Sequence, residues 1–186
     1  MRSFYKDFCK LFFCLVCCAQ SGCGEKLHYK KYEYEKYSVS FNEVAVNFSM
    51  LTTFKEDPKD SNKGTFGAPY SLRLSFSAPA SDPYESIELK NLVMTGGVAA
   101  GDLTFGEFNT EKFWPSLQDE NKVEGAIIIP VSKGNNMKFE DFRFTGTLSF
   151  KVKGQKQRAD EKFDIVLKTN FSEEKKGKRM AEIMGI

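Results

Sequence analysis

The chain has 186 residues, 27 Lys and Arg against 25 Asp and Glu, and five cysteines that all fall within the first 23 positions. No disulfide scaffold or cysteine-based zinc site can therefore form past Cys23, and the single histidine, His28, excludes a multi-histidine metal site. Arg2, Lys6 and Lys10 against Asp7 account for the whole net charge of +2, so residues 24–186 are balanced and carry no general bias toward nucleic acid.

Residues 1–10 (MRSFYKDFCK) form a positively charged start, and Leu11 to Ala19 form a short apolar stretch. A helix of that length reaches about 14 Å, half of a hydrocarbon core of roughly 30 Å, so it does not span a bilayer. A basic start, a short apolar core and then small residues describe a secretory signal, assigned to residues 1–22. It closes on Gln20-Ser21-Gly22-Cys23. With Ser21, Gly22 and Cys23 in place and Gln20 where Leu is usual, this stretch resembles the lipobox of bacterial lipoproteins. The resemblance covers the leader alone. It implies lipid attachment at Cys23, the membrane as a partner through that lipid, and a place at the outer membrane or cell surface. Gly24 is not the Asp that marks inner-membrane retention in such proteins. Cleavage after Ala19 or Ser21 is the alternative, and it would leave a periplasmic or secreted chain. Residues 23–36 then read as the lipidated cysteine and a polar tether, although Tyr29, Tyr32, Tyr34 and Tyr37 also suit a first strand.

From residue 37 to 171 period-two alternation dominates and predicts a β domain. Tyr37, Val39 and Phe41 alternate in opposite phase to Val44, Val46, Phe48 and Met50, which predicts a bulge or bend near Asn42-Glu43. A polar loop is expected from Lys55 to Tyr70. Leu72, Leu74 and Phe76 mark the next strand, then Ile87, Leu89 and Val93 up to Gly96-Gly97, then Leu103 and Phe105. The apolar run Ala126 to Ile129, closed by Pro130, suits a strand covered on both faces or a sheet end. Phe142 to Lys153 has Phe142, Phe144, Leu148, Phe150 and Val152 on one face and Arg143, Thr145, Thr147, Ser149 and Lys151 on the other. It should form a hairpin with Glu161 to Phe171, whose apolar phase is Phe163, Ile165, Leu167 and Phe171. The fold class is all-β: an antiparallel β-sandwich of immunoglobulin-like or jelly-roll topology with about eight strands, and a closed barrel as the runner-up. The fourteen phenylalanines past Cys23 are expected to supply most of the core. Ser172-Glu173-Glu174, followed by Met180, Ile183 and Met184 on one helical face, predicts a short helical tail over residues 172–186.

Few residues offer chemistry. Asp60-Ser61-Asn62-Lys63-Gly64 begins like a calcium loop, but position twelve is Ser71 rather than Glu, so it reads as a turn. Residues 151–179 are locally basic and read as a solvated face. Met94 to Gly101 is glycine-rich but lacks the Gly-Lys-Ser/Thr of a phosphate loop. Trp114, with Phe105, Phe108 and Phe113 nearby, either stacks on a sugar or partner or tucks back into the core. No Gly-x-Ser-x-Gly elbow occurs and no carboxylate pair stands out by spacing. The expectation is a non-enzymatic binding or structural module of the bacterial envelope, with no cofactor and no metal. Its partner is an envelope protein or a glycan. A carbohydrate-binding module using Trp114 is the alternative, and a carboxylate-based hydrolase is less favoured.

Overall fold

A computed structural model of the chain describes residues 26–41, 43–81, 84–96, 102–131 and 138–177. The leader, its Gln20–Cys23 stretch and Cys23 itself lie outside them. β1 (Lys26–Tyr34) and β2 (Tyr37–Phe41) precede two long strands, β3 (Val44–Asp57) and β4 (Asp60–Pro79). β5 (Tyr84–Thr95) leads to three short ones, β6 (Leu103–Thr104), β7 (Phe108–Thr110) and β8 (Trp114–Pro115). β9 (Lys122–Pro130), β10 (Phe142–Val152), β11 (Ala159–Leu167) and β12 (Thr169–Gly177) complete the series. The described residues are all-β, with twelve strands where about eight were expected and no helix.

The strands form two curled sheets, one of them a half-barrel. β4 is the spine of the larger, seven-stranded sheet. β3 and then β2 lie along one of its edges. β1 pairs with the first part of β4 through His28–Lys31, and β9 pairs with its second part through Lys122–Pro130. β12 extends the sheet beyond β1, and β8 extends it beyond β9. The β1–β4 pairing is parallel, and the other ladders are antiparallel. The second sheet runs β11-β10-β5-β6, with β7 also on β5.

Alternation explains the interior. Val44, Val46 and Phe48 of β3, Leu72, Leu74 and Phe76 of β4, and Ile127 and Ile129 of β9 are buried from the larger sheet. They meet Ile87 and Leu89 of β5, Phe142, Phe144, Leu148 and Phe150 of β10, and Phe163, Ile165 and Leu167 of β11 in one cluster. Phe48 and Phe163 join the sheets with ring centroids 5.0 Å apart, and Tyr34 stacks on Phe142 at 4.8 Å. Each such side chain withdrawn from water contributes about 1.5–3 kcal/mol. Aliphatic side chains outnumber phenylalanines there, so the phenylalanine-dominated core expected from composition is corrected to a mixed one.

Several local expectations are also corrected. The bulge or bend expected near Asn42-Glu43 falls where β2 meets β3 rather than within a strand: Phe41 pairs antiparallel with Val44, and Glu43 takes φ 67°. Antiparallel pairing returns both apolar sets to the core, so the apparent slip is the turn itself. The loop expected over Lys55–Tyr70 is instead the tip of the β3–β4 hairpin, turning at Pro58-Lys59. Over residues 23–36 the first strand that the tyrosines suit replaces the tether: Lys26–Tyr34 is β1, in which Tyr29 pairs with Glu174 of β12 and Gly64 of β4. Residues 172–177 of the expected helical tail belong to β12, where Glu173 lies opposite Lys30 of β1 and Glu174, opposite Tyr29, is the diagonal neighbour of Lys31. Lys31 reaches Glu174 at 2.8 Å and Lys30 reaches Glu173 at 3.7 Å, and cross-strand charge pairs favour the ladder over a capped helix. Met180, Ile183 and Met184 lie outside the described residues. Phe171, assigned from its phase to the apolar side of the β11 hairpin, is 49% exposed in β12 and leans on Tyr32. β9 is covered on one face only, since Ile128 is 54% exposed between buried Ile127 and Ile129.

Candidate functional site

Cross-strand partners point to the same side of a sheet, so the ladders map the outer face of the larger sheet row by row. One row runs Ser40, Ala45, Ser77, Glu124, Trp114 across β2, β3, β4, β9 and β8. The next holds Ser38, Asn47, Ser75 and Ala126, and the third holds Ser49, Arg73 and Ile128. These residues alternate with the buried Val44, Val46, Phe48, Leu72, Leu74 and Phe76, which is why a core-forming sequence leaves short polar groups outside.

The floor of this face is low because most of its side chains are Ser, Ala or Asn. Ser38 Oγ donates to Asn47 Oδ1 at 2.6 Å. At one end Trp114 is 42% exposed, beside Glu124, whose carboxylate accepts a 2.6 Å hydrogen bond from Ser116 Oγ. Near the middle is a shallow depression of about 380 Å³ lined by Lys36, Asn47, Ser49, Arg73 and Ser75. Arg73 Nε is buried there and has no hydrogen-bond partner.

Several charges elsewhere are matched. Across the second sheet Glu88 binds Lys90 at 3.0 Å and Arg158 at 2.6 Å, Lys151 reaches Glu85 at 2.7 Å, and Arg143 grips Asp164 through two nitrogens. The local excess of basic residues over 151–179 is thus partly neutralised by acids from other strands. A second cleft, about 690 Å³, opens beside β1 and is lined by His28, Lys30, Asp57, Lys63, Glu173 and Lys175 among others. Two of its cations are paired: Lys30 with Glu173 across the cleft, and Lys63 with Asp60 beside it at 2.9 Å. The Lys63 ammonium and the Asn62 N–H hold the Asp60 carboxyl below its usual range. The turn expected over Asp60–Gly64 is corrected: the chain turns at Pro58-Lys59, and Asp60–Gly64 is the start of β4.

Of the residues singled out from sequence, Trp114 is exposed, while Phe105, Phe108 and Phe113 pack against the core. Phe113 lies over Gly125, where a Cβ would come within 3.0 Å of its ring. The loop therefore tucks in with its phenylalanines and turns its tryptophan out. Cys23 lies outside the described residues. Sequence reading missed Arg73, Lys36, Asn47, Ser49 and Ser75. The signal was the wet phase of β4, Ser71-x-Arg73-x-Ser75-x-Ser77, in which a lone arginine stands among serines.

No protein-family model matches the chain, and no curated protein matches it.

Proposed function

We propose that the protein is a non-catalytic glycan-binding module of the bacterial envelope that works through the outer face of its larger sheet. The observation that carries this reading is an exposed Trp114 in the same face as a field of serine and asparagine side chains. Sugars present apolar C–H faces that stack on an indole and hydroxyls that need short polar partners. A flat face with a low floor admits both. The basic and apolar leader and its Ser21-Gly22-Cys23 ending support export and a lipid on Cys23, with the outer membrane or cell surface as the address. The core shared by the two sheets supports reading them as layers of a β-sandwich of immunoglobulin-like or jelly-roll type.

Trp114 is the only tryptophan, so its fluorescence reports on this face alone. Titration with purified envelope polysaccharide should quench it, and Trp114→Ala should weaken retention on that polysaccharide about tenfold. Retention unchanged by Trp114→Ala would remove the reading. Separately, labelled fatty acid should appear on the wild type and vanish in Cys23→Ala, and an unlabelled wild type would remove the anchor.

A further inference from the structure

We propose that the polysaccharide bound here is acidic, and that Arg73 with Lys36 forms the subsite for one of its carboxylates. This deepens the glycan-binding reading and rests on it. Three arginines are described. Arg143 is paired with Asp164 and Arg158 with Glu88, whereas Arg73 has no carboxylate within ion-pair distance among the described residues. Its place explains why. In the central strand β4 its cross-strand neighbours are Ser49 and Ile128, and the residues before and after it on the same face are Ser71 and Ser75. None can neutralise a guanidinium. Its Nε is nonetheless buried without a hydrogen-bond partner, a costly state for a charged donor unless something arrives to accept from it.

The depression around it is charge-selective. Lys36 adds a second cation, Asn47, Ser49 and Ser75 add neutral hydrogen-bonding groups, and no acid lines it. A planar carboxylate matches the guanidinium fork with two parallel hydrogen bonds, while the amide and hydroxyls are left for the sugar ring's own hydroxyls. Trp114 lies two strands across and four residues along from Arg73, roughly 16 Å by sheet spacing. One ligand touching both is a chain of several sugar units, not a monosaccharide. Glu124, the acid on this face, sits at the Trp114 end and away from the carboxylate subsite.

Calorimetry on the full chain with an oligogalacturonate and with its fully methyl-esterified form separates the possibilities. The acid should bind about tenfold or more tighter than the ester. Arg73→Gln should remove most of that difference, the remainder being held by Lys36, and Arg73→Lys should restore only part of it. The melting midpoint of Arg73→Gln should not fall, since the buried Nε has no hydrogen-bond partner to lose. Equal binding of acid and ester by the wild type overturns the acidic subsite and leaves the glycan reading standing. Binding of neither form, with no fluorescence response from Trp114, overturns both. Displacement of the oligogalacturonate by equimolar inorganic phosphate would mark a free-anion site and also overturn the assignment.

Discussion

Gly146 interrupts the apolar phase of β10 at the point where β11 lays Phe163 across it. A Cβ there would lie 2.8 Å from the Phe163 ring and 3.3 Å from the Lys90 carbonyl oxygen. Phe163 is buried and wedged against Phe48, so it has little room to yield. Gly146→Ala should cost about 1–3 kcal/mol, read from urea melts, although alanine is ordinarily the better strand residue. Asp141 carries a different kind of constraint. Its carboxylate accepts from the Thr169 N–H at 2.8 Å and the Thr169 hydroxyl at 3.0 Å, tying the start of β12 to the approach to β10. Those bonds hold the Asp141 carboxyl below the usual carboxylate range. A depressed pKa means the stabilisation is complete above the unfolded value of about 3.9 and is lost as pH falls through the folded one. Asp60, Asp119 and Asp164 shift in the same direction, so thermal midpoints should drop below about pH 4, and Asp141→Ala should flatten that drop.

β12 shows what local pattern reading misses. Ser172-Glu173-Glu174 has the form of a helix start, yet the segment is a strand because β1 offers it nine paired positions, with Lys30 opposite Glu173 and Lys31 diagonal to Glu174. Replacing both Glu173 and Glu174 by lysine would set like charges beside Lys30 and Lys31. β12 should then lose on the order of 1 kcal/mol of local protection in hydrogen exchange, with β3 and β10 unaffected. Strands that bury one face were legible: the alternations of Val44–Met50, Leu72–Phe76 and Phe142–Val152 fall where β3, β4 and β10 run. Strands without a run of alternating aliphatics were less so. β1 buries Tyr29 and Tyr34, the tip of the β3–β4 hairpin packs Phe54 and Phe66 against Tyr29, and β12 is joined to β1 by its ladder and charge pairs. The candidate face was legible only at Trp114. Arg73 was in plain view on the wet phase of β4, but its lack of an acid partner among the described residues depends on which strands flank β4, and that information is non-local.

At the scale of the molecule four ladders, β1–β12, β1–β4, β4–β9 and β5–β10, join distant stretches of chain, and Lys31 and Glu174, which form a 2.8 Å hydrogen bond, are 143 residues apart. Such a topology must close long loops before its contacts reward it, so folding followed by stopped-flow far-UV circular dichroism should take milliseconds to seconds rather than microseconds. The same pairing sets Lys26 against Gly177, at the hairpin-tip end of β4. Ser77 and Trp114 lie toward the other end, roughly 55 Å away along the strand. Suppose a chain held by its N-terminal segment grips a ligand at the Trp114 end. Tension then enters through β1 and leaves through β8 and β9, nearly parallel to the strands. The hydrogen bonds of β1 to β12 and β4 cross that direction, so they would resist in shear and have to rupture together rather than unzip one by one.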